Sequence, residues 1–142
     1  MAKISIIQGP NLNLLGKREP ELYGHASLKD IHEGLQEKFG SDHALVFFQS
    51  NHEGAILDAI HQAIDHDGIV INPGAYTHTS YAIRDAIATI EKPVVEIHLT
   101  RLYAREDFRQ KSLIAPVCIG QLSGFGAYGY ELAMLALLQH LA

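Results

Sequence analysis

The sequence predicts a doubly wound α/β sheet of five parallel strands, on three observations. Short apolar runs alternate strictly with stretches of helical periodicity along 142 residues. The runs are mostly continuous rather than alternating in polarity, as strands buried on both faces require. The chain has the length of one domain, residues 1–142, and its 47% hydrophobic content suffices to bury roughly two-thirds of its unfolded surface.

Residues 4–7 form the first run. The connection after it, GPNLNLLGKREPELYG over 9–24, far exceeds the roughly 2 to 6 residues usual between a strand and a helix, and it is polar. Ser27 then reads as an N-cap, with Leu28, Ile31 and Leu35 on one helical face and a stop near Gly40. Residues 44–48 give the second strand. Ile56, Ile60, Ala63 and Ile64 give the second helical stripe, ending at Gly68. A third strand over 69–71 precedes the stripe Ile83, Ala86, Ile87 and Ile90, closed by Pro93. The fourth and fifth strands are expected at 94–99 and 117–122. The last helix, 130–141, is apolar on nearly every side, which suggests contact with a further layer such as another subunit.

Strict βα alternation implies right-handed crossovers and helices on both faces of the sheet. At this length the flavodoxin-like order 2-1-3-4-5 is expected. Ligands in such sheets bind beyond the carboxyl ends of the strands, where the order reverses between strands 1 and 3. Three polar connections fall on that edge: 9–24, NPGAYTHTS at 72–80, and HLTRLYAREDFR at 98–109.

Composition excludes several functions. With 11 basic against 16 acidic residues the chain lacks the field that nucleic acid binding needs. Its one cysteine, Cys118, falls in an apolar run and reads as a buried thiol inside the fifth strand, so no disulfide framework is expected. The longest apolar stretch, 132–138, is too short for a bilayer, and no cleavable leader pattern is visible, so a soluble cytoplasmic protein is expected. Of nine histidines, His32, His43, His61 and His66 read as scattered, solvated positions. Neither His32-Glu33 nor His52-Glu53 has the second histidine of the zinc hydrolase helix, so no metal is expected. The glycines of GFGAYG at 124–129 mimic a dinucleotide turn, but the chain ends before an acidic partner; close packing of the last helix on the sheet explains them better.

The remaining chemistry is acid and base work. Ser80 and Thr79 beside His78 lack a nucleophile elbow, and Lys17 and Lys111 lie beside arginines rather than in an apolar pocket suited to a Schiff base. A tyrosine of pKa about 10 is about one part in a thousand ionised at pH 7, and an adjacent guanidinium lowers such a value by about 1 to 3 units. Tyr23 shares its loop with Arg18, and the third loop brings Arg105 and Arg109. A base of that kind suits a weakly acidic C–H beside a carbonyl. His98, at the end of the fourth strand, suits a general acid, with Glu96 on the same face to fix its tautomer. The competing structural reading is a cation–π contact for the tyrosine and a packing role for the histidine.

The segments GPNLNLLGKREPELYG, FQSNHEGAILDAIHQA, INPGAYTHTSYAIRDA, VVEIHLTRLYAREDFR and GFGAYGYELA, in this order, closely resemble the type II 3-dehydroquinate dehydratases. The resemblance implies elimination of water from 3-dehydroquinate to give 3-dehydroshikimate, without metal, cofactor or Schiff base. It implies that Tyr23 is the base, that Arg18 lowers its pKa, that Asn11 holds a water at the enolate and that His98 protonates the leaving hydroxyl. Substrate binding is implied for Asn72, His78, Leu99, Thr100 and Arg109, with Asp85 supplied by a neighbouring subunit. It further implies trimers assembled into dodecamers, and a lid formed by the 9–24 loop. Arg101 and Tyr103 stand where many members have Asn and His. A receiver module would instead need acidic residues where Gln8-Gly9-Pro10-Asn11 and Asn72-Pro73-Gly74 stand. A flavin carrier would need a Ser/Thr-rich loop in place of Pro10, Leu12, Leu14 and Leu15.

Overall fold

The computed structural model describes residues 1–142. Its strands β1 (Lys3–Gln8), β2 (Ala44–Gln49), β3 (Gly68–Asn72), β4 (Val94–His98) and β5 (Gly120–Ser123) form one sheet in the order β2-β1-β3-β4-β5. Every pairing is parallel. The helices are α1 (Pro20–Tyr23), α2 (Leu28–Phe39), α3 (Glu53–Gln62), α4 (Tyr81–Ile90) and α5 (Tyr128–Leu141).

The two-residue period of a strand sorts the core into two layers. Ile4, Ile6, Val70, Val95 and Ile97 meet Ile31, Leu35 and Phe39 of α2 and Tyr130, Ala133, Met134 and Leu137 of α5. The intervening Ile7, Ile69, Ile71 and Val94 meet α3 and α4 on the other face. Helix α2 starts where expected: Ser27 Oγ accepts from the Asp30 N–H at 3.1 Å, while the Asp30 carboxylate accepts from the Ser27 N–H at 3.0 Å, a reciprocal cap that satisfies two donors. Packing explains Gly129, because a Cβ there would lie 2.5 Å from Ile97 Cδ1.

Several expectations need correction. β5 begins at Gly120, because residues Ala115–Val117 form a 3₁₀ turn around Pro116, which has no N–H for a ladder. Cys118 therefore lies in that connection rather than in a strand, and burial, with the nearby Glu96 charge, pushes its thiol up to about 12. β4 ends at His98, leaving Leu99 outside the sheet. Helix α3 tightens into a 3₁₀ turn at Ala63–Asp65, which swings Ile64 into solvent while Ala63 stays buried. Of the four histidines expected to be solvated, only His61 is exposed. The half-buried His32 stacks on Phe47 at 4.4 Å, His43 Nδ1 accepts from the Ala2 N–H at 3.0 Å, and His66 Nδ1 meets Ser5 Oγ at 2.5 Å. These rings serve as short polar anchors, and burial pushes His32 and His66 below the usual imidazole value.

Candidate functional site

The sheet topology carries the three polar connections to one edge, where they enclose a cavity open to solvent. Side chains from all three line it. The first connection is pinned at its start. Gly9 donates to the Asn72 carbonyl at 2.7 Å, and a Cβ at Gly9 would lie 2.5 Å from the Pro73 carbonyl, so the two strand ends meet through bare backbone. Asn11 is left-handed (φ 69°) and its N–H donates to Asn51 Oδ1 at 3.0 Å. Leu12 and Leu15 then plug the core, and beyond them the connection brings Arg18 and Tyr23 to the cavity wall.

Tyr23 sits at the end of α1, with two cations against its ring. The Arg18 guanidinium carbon lies 4.6 Å from its ring centroid and that of Arg105 lies 5.3 Å away. Arg105 is itself fixed by donating to Thr100 Oγ1 at 3.1 Å.

Opposite, β4 delivers Glu96 and His98 on one face. Glu96 is 0% exposed. Its Oε2 accepts from His98 Nε2 at 2.5 Å and from Thr77 Oγ1 at 2.6 Å, and Ser112 Oγ bonds Oε1 at 2.8 Å. Burial works against its charge, but the His98 hydrogen bond and charge together with the two hydroxyls prevail and hold the carboxyl below the usual range. With Nε2–H committed to Glu96, His98 presents Nδ1 to the cavity. His78 lies nearly parallel to His98, with ring centroids 6.4 Å apart, and donates from Nδ1 to the Lys111 carbonyl at 2.7 Å. Burial pushes His78 below the usual imidazole value despite the Lys111 bond, and His98 and Arg109 push the same way. A neutral His78 therefore offers Nε2 as an acceptor.

Leu99 and Thr100 are buried residues whose backbone N–H groups find no acceptor within the chain. Two unpaired donors at the end of a strand suit an anion. Arg109 lies over Phe108 at 4.6 Å, with Nε 3.1 Å from Glu106. Thus Asn11, Arg18, Tyr23, Asn72, His78, His98, Leu99, Thr100 and Arg109 share one cavity. Asp85 does not: it is exposed on α4, paired with Arg84 at 3.1 Å. Sequence reading missed Thr77, Ser112 and Tyr130. Thr77 stands beside His78 in a polar connection, a weak signal; Ser112 carries none.

The sequence model described as "Dehydroquinase class II" matches residues 2–138. The chain belongs to the class II dehydroquinases. The 3-dehydroquinate dehydratase of an Exiguobacterium species is 54% identical over 138 residues, spanning 97% of this chain and 95% of its own. That of a Jannaschia species is 57% identical over 143 residues, spanning 98% and 95%. The crystal structure of type II dehydroquinase from Butyrivibrio crossotus DSM 2876 superposes with a TM-score of 0.94 at 46% identity, covering 96% of this chain and 97% of that one. Dehydroquinase membership bears out the resemblance read from the five segments, and the 2-1-3-4-5 sheet is the expected one.

Proposed function

We propose that this chain is a hydro-lyase that converts 3-dehydroquinate to 3-dehydroshikimate by anti elimination through an enolate. One observation carries the mechanism: a tyrosine ring with two guanidinium groups against it lines the same cavity as a histidine held by a buried carboxylate. The Tyr23 phenolate removes the proton from the carbon beside the ketone, and the electron pair moves onto the carbonyl oxygen as an enolate. Asn11 holds a water that donates to that oxygen. The enolate collapses as His98, entering the step as an imidazolium paired with Glu96, delivers its Nδ1 proton to the departing hydroxyl, which leaves as water; Tyr23 then loses its proton to solvent and His98 regains one, which resets the pair. Arg18, assisted by Arg105, stabilises the phenolate. No Schiff base, metal or cofactor takes part.

Asn72 and His78 bond ring hydroxyls, Arg109 bonds polar oxygens in bidentate fashion, and the N–H groups of Leu99 and Thr100 take the carboxylate. The region of 9–24 beyond Leu15 acts as a lid. Asp85 lies outside its own chain's cavity, and the family resemblance assigns it to the cavity of a neighbouring subunit, within trimers that build a dodecamer. The exposed Leu135 and Leu141 on α5 fit such an assembly. We place the enzyme in the cytoplasmic shikimate pathway of aromatic amino acid biosynthesis; no helix is long and apolar enough to cross a membrane.

Purified protein incubated with 3-dehydroquinate tests this reading. Ultraviolet absorbance of the conjugated enone is expected to rise equally with and without borohydride. Loss of activity on borohydride treatment contradicts the non-covalent route, and no absorbance change contradicts the activity.

A further inference from the structure

Asn72 ends β3 almost fully buried, and both ends of its amide are engaged. One fixed donor sets the polarity of everything around it. The Gly74 backbone N–H can only donate, and it lies 3.1 Å from Oδ1 of Asn72, so the other terminus is the NH2 group. That nitrogen lies 2.9 Å from Tyr130 Oη and must donate to it. The single phenolic proton then goes to Gln8 Oε1 at 2.7 Å. Tyr130 is 1% exposed, and burial pushes its pKa up, so this proton stays in place across the working range. Asn72 is left with one free N–H and lines the cavity, whereas Tyr130 does not.

We propose that Tyr130 is a positioning residue for substrate: bridging Asn72 and Gln8, it acts with the Gly74 N–H to hold the Asn72 amide with an N–H rather than its carbonyl toward the cavity, so that this point donates to a substrate oxygen. The locked donor complements the acceptor offered by His78, so the two residues suit different oxygens of a hydroxylated ring. Three elements hold the relay, since Gln8 ends β1, Asn72 ends β3 and Tyr130 comes from α5. The last helix thereby reaches the site without touching the ligand. The inference rests on Asn72 binding substrate, as proposed above.

Steady-state kinetics of Tyr130→Phe, Asn72→Ala and the double variant with 3-dehydroquinate test it. Phenylalanine keeps the ring and removes only Oη. The expected result for Tyr130→Phe is a KM about tenfold higher with kcat within about threefold, and in the Asn72→Ala background no further rise. A wild-type KM for Tyr130→Phe, or effects that multiply in the double variant, overturns the relay while leaving Asn72 as a ligand. A wild-type KM for Asn72→Ala overturns the Asn72 reading and the relay with it. Should Tyr130→Phe fail to fold, Gln8→Met carries the same test, because it removes the acceptor that fixes the phenolic proton: a KM rise masked by Asn72→Ala is expected, and an unchanged or multiplicative effect overturns the proposal.

Discussion

Glu96 must be charged and buried at once, which is tolerated only where hydrogen bonds replace water. Thr77, Ser112 and His98 supply them. Because the folded carboxyl is held below its unfolded value of about 4.3, its charge contributes stability that is present above that pH and is lost as pH falls through the folded value. Glu96→Gln is accordingly expected to lower stability at neutral pH, with the gap to the wild type closing in acid. It is also expected to lower kcat by about 10- to 100-fold, since His98 loses the partner that orients it. Denaturation curves across pH and steady-state kinetics check both, and equal acid sensitivity in the two proteins would contradict the assignment. Tyr23, His98 and Glu96 were legible in the sequence because they are rare chemistry on a predicted strand end or in an overlong connection. Thr77 and Ser112 were not: a hydroxyl is unremarkable until the fold places it, 19 and 16 residues away in sequence, against a buried carboxylate.

At the scale of elements, βα alternation made the edge carrying the site readable before any side chain was placed. Boundaries misled where the local backbone departs from regular periods. Pro116 cut short an apolar run that reads as strand, and a 3₁₀ turn rotated Ile64 out of the stripe that its spacing predicts. Helix α5 illustrates the converse, since Gly124, Gly126 and Gly129 mimic a nucleotide turn while Gly129 is required by contact with Ile97. A methyl group at Gly129 must displace that side chain. Gly129→Ala is therefore expected to lower stability by about 1 to 3 kcal/mol, measured by denaturant unfolding. An unchanged midpoint would mean that the helix does not sit where its packing requires.

The whole molecule carries a formal charge of −5, yet its cavity gathers Arg18, Arg105 and Arg109, a local positive field that draws an anionic substrate against the overall sign. The apolar last helix is the ground for expecting a further contact, whereas a role for Asp85 in another subunit's site is implied by the family resemblance alone, since nothing in its spacing indicates one. If Asp85 completes a neighbour's cavity, Asp85→Ala is expected to lower activity about tenfold or more and to loosen the oligomer. Subunits of Asp85→Ala reassembled with subunits of Tyr23→Phe are expected to regain activity, because mixed assemblies contain some cavities with both intact groups; a fully active Asp85→Ala monomer would contradict sharing. The central claim, that the Tyr23 phenol with two guanidinium groups against its ring is the base, is tested most directly by the turnover of Tyr23→Phe on 3-dehydroquinate. A kcat lower by about a thousandfold or more with KM within about tenfold is expected, and turnover at the wild-type rate would contradict that role for Tyr23.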